Sequence, residues 1–245
     1  MNQVKSHYDN LLAVHYSWMS GMAFADKVAE QRALLESFGF PTESKKLALD
    51  LGCGPGYQSV ALCDLGYEAV MALDTSQAFL DELATISHDL PIKTQLQDIR
   101  DFSAFVDDTS ADAIVCMGDT ITHLVSMSDV SQLLSAAYKV LCHGGRLALT
   151  FRDFSKELTG TDRFIPVRSD DQHIMMCALL YSENYVEVND LIYQRCNEGW
   201  RLHKSSYRKL RLDPALVAEE LRQLGFVIEV ETAVQRMQAI VAHKM

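Results

Sequence analysis

Nowhere in these 245 residues does an apolar run approach the roughly eighteen residues that a membrane-spanning helix requires. The first segment carries His7, Asp9 and His15 among short apolar runs, so the long apolar centre of a secretory signal is missing and a cytoplasmic location is expected. Cationic charge is also scarce. Lys and Arg number 22 against 33 Asp and Glu, a net charge of −11 that argues against a broad surface for displacing counterions from nucleic-acid phosphates. The six cysteines, at 53, 63, 116, 142, 177 and 196, form no C-x-x-C pair and mostly sit in apolar surroundings such as Val115-Cys116-Met117; they read as reduced core residues, and no metal is expected. Long repeats and low-complexity tracts are lacking too. The remaining class is a globular protein with a small-molecule partner, no nucleic acid and no membrane, acting as a monomer or homodimer. An apolar content of 48% suffices for one α/β domain with an elaboration.

Against the general shortage of cations stand Arg201, Lys204, Arg208, Lys209 and Arg211. They read as a solvated strand edge, where charge discourages aggregation; the alternative is a patch for an anionic substrate.

The most informative run is Leu47-Ala-Leu-Asp-Leu-Gly-Cys-Gly-Pro-Gly-Tyr57. Leu47, Leu49 and Leu51 make a short apolar strand, with Asp50 near its end at the rim of a parallel sheet, where ligands bind. Gly52, Gly54 and Gly56 let the main chain turn tightly and approach a ligand closely. The helix expected from Tyr57 to Leu65, stopped by Gly66, begins with free N–H groups suited to an anion. A dinucleotide fingerprint counted from Gly52 would place its third glycine at position 57, where Tyr57 stands.

The pattern Asp50-x-Gly52-x-Gly54-x-Gly56 closely resembles the first motif of class I S-adenosylmethionine-dependent methyltransferases, and three further segments agree in order and spacing. The resemblance covers about residues 45 to 152. It implies a Rossmann-like α/β fold, a seven-stranded mostly parallel sheet with helices on both faces, and S-adenosyl-L-methionine as cofactor. In Val70-Met-Ala-Leu-Asp74-Thr75-Ser it assigns Asp74 to the ribose hydroxyls, a task that suits an acceptor-only group able to take two donors. In Gln97-Asp98-Ile99 it assigns Asp98 to the adenine amino group and the Ile99 N–H to the ring. The wider cofactor set is Asp50, Gly52, Cys53, Gly54, Gly56, Asp74, Thr75, Asp98, Ile99, Met117 and Tyr16. The loop Met117-Gly-Asp119-Thr-Ile-Thr-His123-Leu resembles the one in glycine N-methyltransferase and its relatives, where an Asn stands at the Asp119 position.

Transfer of a methyl group from a sulfonium chiefly requires alignment in a dry site, with a neutral amine or a base-assisted hydroxyl as acceptor. The catalytic candidates are His123, Asp119 and Tyr8. His123 is a base near neutral pH or a hydrogen-bonding residue that shapes its loop. Asp119 holds the acceptor's ammonium or the cofactor's amino group, or caps the following turn. Tyr8 and Tyr16 border the methyl group or pack in the core. Arg152, directly after the fifth strand, pairs with a substrate carboxylate or with Asp153 or another rim acid. The Asp/Asn-Pro-Pro-Tyr signature of enzymes that methylate base amines or glutamine amides is missing. Metal-dependent catechol-type enzymes follow their second acid with Asn, where this chain has Phe154. The reading is methyl transfer to nitrogen or oxygen of a small molecule; the alternatives are aminopropyl transfer on the same fold and a non-catalytic cofactor-binding subunit.

The rest of the chain is expected to complete one domain over 1–245. Helices in 1–40 form a lid, with Tyr8, Leu12, Tyr16 and Met19 on or near one face. A helix from Ser128 to His143 ends at Gly144-Gly145 before the strand Arg146–Phe151. Residues 172–211 alternate as three strands of an antiparallel insertion after strand five, long enough to roof the site. Asp213 and Pro214 start a closing helix, and strands near 227–231 and 237–243 form the final hairpin over 213–245.

Overall fold

The strand Ala111–Cys116 (β4) is buried at all 6 positions, the condition of a strand covered on both faces. It lies inside a seven-stranded sheet of order β10-β11-β5-β4-β1-β2-β3, seen in a computed structural model that describes residues 7–245. The strands are β1 (Leu47–Leu51), β2 (Ala69–Asp74), β3 (Ile92–Leu96), β4, β5 (Leu141–Phe151), β10 (Phe226–Val234) and β11 (Met237–Lys244). Pairs β4–β1, β1–β2, β2–β3 and β4–β5 are parallel, while β11 runs antiparallel to both β5 and β10. This is the Rossmann-like, mostly parallel sheet expected from the sequence.

Alternation along the strands divides the core in two. Leu49, Leu51, Ile114, Cys116, Leu147, Leu149 and Phe151 pack with the helices Met127–Val140 and Pro214–Gln223. Ala48, Val70, Ala113, Val115 and Ala148 face the opposite way, toward the helices Phe24–Ser37 and Tyr57–Asp64. Local chemistry sets the helix starts: Ser126 Oγ accepts from the Asp129 N–H at 3.2 Å, and Asp213 Oδ1 accepts from the Ala215 N–H at 2.9 Å, with Pro214 in the first turn.

One boundary differs from the sequence reading. The helix ends at Val140, and β5 begins at Leu141, before the two glycines. Leu141 pairs with Ala111 and Arg146 pairs with Ala113, so the intervening residues bulge out of the ladder. Gly144 takes φ +77° there, so the pair serves a bulge inside the strand and does not terminate a helix.

The insertion after β5 is a sheet of four antiparallel strands, β6 (Phe164–Ser169), β7 (His173–Tyr181), β8 (Tyr185–Cys196) and β9 (Gly199–Leu210). Sequence patterning indicates three. The additional strand is an edge strand containing Pro166, with a register shift between Pro166 and Arg168, and proline masks an edge strand in any pattern search. Before the main sheet, the chain makes a π-helical turn, Tyr8–Leu12, followed by the helices Ala13–Ser20 and Phe24–Ser37. Leu11 and Leu12 pack against Met175 and Ile192 of the insertion. Trp18 Nε1 donates to Asp170 Oδ2 at 2.5 Å, and Arg168 Nη1 donates to the Trp18 carbonyl.

Candidate active site

Sheet order reverses between β4 and β1, and a crevice outside the carboxyl ends of such strands is where open α/β sheets bind ligands. A cavity of about 750 Å³ occupies this position, floored by Gly52, Cys53, Gly54, Met117 and Gly118 and bordered by Asp74, Thr75, Asp98 and Ile99. Its other walls come from the N-terminal helices and the insertion. Tyr8, Leu12, Tyr16 and Met19, the four residues that share a face in the sequence, all line it.

The three glycines of the β1 loop do different work. All have positive φ, at +77°, +53° and +96° for Gly52, Gly54 and Gly56. A Cβ on Gly52 would lie 2.2 Å from Thr120 Cγ2, and one on Gly56 would lie 2.3 Å from Leu83 Cδ1. A Cβ on Gly54 would meet no atom within 4 Å, because this residue presents bare main chain to the cavity. Gly52 and Gly56 are therefore demanded by packing, whereas Gly54 leaves a cradle for a ligand. The loop is anchored by the N–H groups of Gly52 and Cys53, which donate to the Leu73 carbonyl at 2.8 and 2.9 Å.

Asp74 shapes the same loop. Its Oδ2 accepts from the Gly54 N–H at 2.9 Å and its Oδ1 from the Ser76 N–H at 2.8 Å. Asp98 accepts the Arg100 N–H at 3.0 Å and the Arg100 guanidinium at 2.9 Å, at the start of the 3-10 turn Ile99–Phe105. Both carboxylates border the cavity. Asp50 lies beneath the loop and does not reach the cavity surface. Ser59 Oγ donates to its Oδ2 at 2.6 Å, and burial pushes its carboxyl up to about 7 despite that bond. Gly56 likewise stays outside the lining.

On the acceptor side, Tyr8 Oη lies 3.3 Å from His123 Nε2, and the His123 ring is 5.5 Å from that of Tyr207. Burial, reinforced by the Lys209 cation, depresses the His123 imidazole to about 3, so it is neutral at physiological pH. Burial also raises the Tyr8 phenol well above its ordinary value, with Tyr16 and Asp74 adding to the shift, and Tyr8 remains protonated.

Asp119 is 2% exposed, and both of its oxygens are occupied. Oδ1 accepts from the Arg152 N–H at 2.9 Å and from Thr122 Oγ1 at 3.0 Å; Oδ2 accepts from Lys209 Nζ and from Arg152 Nη1, the latter at 3.4 Å. Burial opposes ionisation, yet the two cations and these donors hold the carboxyl below the usual range. Arg152 does pair with a rim acid, but with Asp119 rather than Asp153, and about half of its side chain stays accessible on the cavity wall.

Lys209 corrects the reading of its cluster as a solvated edge: its side chain is 4% exposed, and it points inward. Arg201, Lys204 and Arg208 are exposed, while Arg211 is tied to Ser155, Ser182 and Glu157. The signal was present in strand parity, since Lys209 shares the face of buried Tyr207 two residues earlier. Asp190 and Tyr207 also line the cavity, and His7 Nε2 sits 3.0 Å from Asp190 Oδ2.

Residues 48–145 match the family described as a methyltransferase domain. The glycine/sarcosine N-methyltransferase of Aphanothece halophytica is 33% identical over 112 residues, 44% of this chain and 41% of the relative. The chain thus spans about two fifths of the length of the curated relatives that it matches. A S-adenosylmethionine-dependent methyltransferase from Clostridium acetobutylicum ATCC 824 superposes with a TM-score of 0.75 at 16% identity, covering 97% of this chain and 98% of its own. CalS10 of Micromonospora echinaspora, an amino pentose methyltransferase solved with S-adenosylmethionine bound, gives 0.73 at 18% identity, with coverage of 93% and 94%. At these identities the solved structures establish the fold. Sheet topology and these superpositions give the chain the Rossmann-like fold of such methyltransferases, and within that fold residues 48–145 match the methyltransferase-domain family.

Proposed function

We propose that this protein transfers a methyl group from S-adenosylmethionine to an amine nitrogen of a small molecule. The observation that carries the reading is one continuous cavity joining the bare Gly54 cradle to a buried polar cluster under the insertion. Bound there, the cofactor would supply an electrophilic methyl group on sulfonium sulfur. Asp74 would take the ribose hydroxyls, and Asp98 and Ile99 the adenine edge. Gly52, Cys53, Gly54, Thr75, Met117 and Tyr16 would complete the wall, with Asp50 and Gly56 holding the loop from below. The N-terminal helices act as a lid that excludes water.

The choice of nitrogen rests on the acceptor side. A hydroxyl acceptor needs a competent base, but His123 is held near a pKa of 3 and Tyr8 keeps its proton. An amine can shed its proton to solvent before binding and then needs orientation alone. His123 and Tyr8, joined at 3.3 Å, position the lone pair, and Arg152 contacts the acceptor. Asp119 serves as a positioning residue, since its oxygens are already committed to Lys209, Arg152 and Thr122. The names of the curated relatives, which methylate nitrogen, and of the amino pentose enzyme support the same acceptor class.

Calorimetry with S-adenosylhomocysteine, followed by mass analysis of amine pools incubated with labelled cofactor, tests the proposal. Binding and a methylated amine are expected, with a rate that rises with pH to the acceptor's own pKa and shows no inflection near 6.5. Absence of S-adenosylhomocysteine binding, or methylthioadenosine as by-product, contradicts it.

A further inference from the structure

Alternation along the insertion sheet buries Met175, Leu179, Val188 and Ile192, and the first three line the cavity. Contacts with the N-terminal segment come through that same face, where Met175 and Ile192 meet Leu11 and Leu12. The residues between them point the other way. An antiparallel sheet with one face in solvent carries polar residues on it. This outer face does not: Phe164, Ile174, Leu180 and Leu202 are each at least 40% exposed. Strand register joins them through the half-buried Met176, Leu191 and Tyr193 into one continuous apolar patch. Trp200 extends it at one end, with the Arg195 guanidinium 5.6 Å from the ring centre. Tyr, Trp, Met and Arg are the side chains enriched where proteins associate.

Size and charge narrow the occupant. With strands about 4.8 Å apart and a rise of about 3.4 Å per residue, four strands over the 9 residues of β7 make a face of about 600 Å². Two such faces in contact remove on the order of 1,200 Å², before side-chain relief is added, which reaches the range of stable interfaces. The rim carries both signs, with Arg195, Lys204 and Arg208 beside Glu187, Asp171 and Glu198. An anionic lipid surface is matched by cations without interspersed acids. A mixed rim around an apolar centre instead complements a two-fold copy of itself, acid against cation.

We propose that the outer face of the insertion sheet is a homodimer interface, on which two copies of this chain pack their four-stranded sheets face to face as a sandwich. The same strands then wall the cavity on one side and hold the second copy on the other. This inference goes beyond the methyl-transfer reading and stands without it.

Sedimentation velocity of the full chain from about 1 to 100 μM, with hydrogen exchange at both ends of that range, tests the proposal. A dimer is expected, with exchange in β7 and β8 slowing as concentration rises. Ile174→Glu/Leu180→Glu changes two exposed positions outside the cavity lining. It should weaken association about thirtyfold or more and leave the far-ultraviolet circular dichroism unchanged. Leu216→Glu, at an exposed position on the closing helix, should leave the dimer intact. If the double variant fails to fold, the exchange map of the wild type decides. A monomer at the highest concentration, a dimer indifferent to the folded double variant, or concentration-dependent protection lying outside the insertion sheet overturns the proposal. So does a monomer that binds anionic vesicles through this face.

Discussion

Gly54 and Gly56 stand two residues apart, both with positive φ, and they should fail differently when substituted. At Gly54 an alanine meets open cavity, so the cost to folding is backbone strain alone, about 1–2 kcal/mol, while the methyl group occupies the ligand's place. At Gly56 the same methyl group would lie 2.3 Å from Leu83, whose side chain is fully buried, and strain and overpacking combine to cost roughly 3–5 kcal/mol. Thermal melts and S-adenosylhomocysteine titrations of the two variants check this: Gly54→Ala keeps most of its stability and loses affinity, and Gly56→Ala loses stability. Equal melting temperatures would contradict the division of labour. Lys209 shows the limit of reading residues singly. Its neighbours Arg208 and Lys204 are exposed, and only its parity with Tyr207 marks the turn inward.

Elements with local signals are legible in the sequence, and those defined by partners are not. The β1 loop, the Asp213-Pro214 helix start and the alternating strands β7, β8 and β9 each carry their own chemistry, and the structure has them where that chemistry points. The early end of the helix at Val140 depends on pairing of Leu141 with Ala111, and the edge strand β6 depends on β7. Neither is visible in a linear pattern. The same distinction applies to the site: most residues proposed for the cofactor lie in short motifs after successive strands, whereas Lys209, Tyr207, Asp190 and His7 meet only through tertiary packing. The N-terminal helices hold to the insertion through Leu11, Leu12 and the Arg168 contact to the Trp18 carbonyl. Arg168→Ala should therefore increase hydrogen exchange in residues 7–20 and weaken acceptor affinity, leaving exchange of β4 unchanged. Uniform loosening of β4 together with residues 7–20 would show that the N-terminal helices are not a separate cooperative unit.

For the molecule as a whole, two buried groups act on pH stability with opposite sign. Unfolded, His123 takes a proton near 6.5, but in the folded chain only near 3, so the unfolded state binds more protons in between. This contribution, about 5 kcal/mol, is complete above pH 6.5 and lost as pH falls toward 3. Asp50 keeps its proton up to about 7 in the folded chain and releases it near 3.8 when unfolded, so its contribution, about 4 kcal/mol, is complete below 3.8 and lost as pH rises through 7. The two slopes nearly cancel between about pH 4 and 6.5, and the wild-type melting temperature should be almost level there. Asp50→Asn keeps an acceptor for Ser59 and removes one slope: the variant should be a few kcal/mol more stable than the wild type at pH 8 and about equal to it at pH 4. A variant less stable at pH 8 would show that Asp50 is ionised and stabilising without a ligand.

The account depends most on a nucleoside sulfonium cofactor resting against the main chain at position 54. Its most direct measurement is calorimetric titration of S-adenosylhomocysteine into the wild type and Gly54→Val at equal concentration, with folding of both verified by circular dichroism. Saturable one-to-one binding by the wild type and none by the folded variant is the predicted result. Equal binding by both proteins, or none by the wild type, would contradict it.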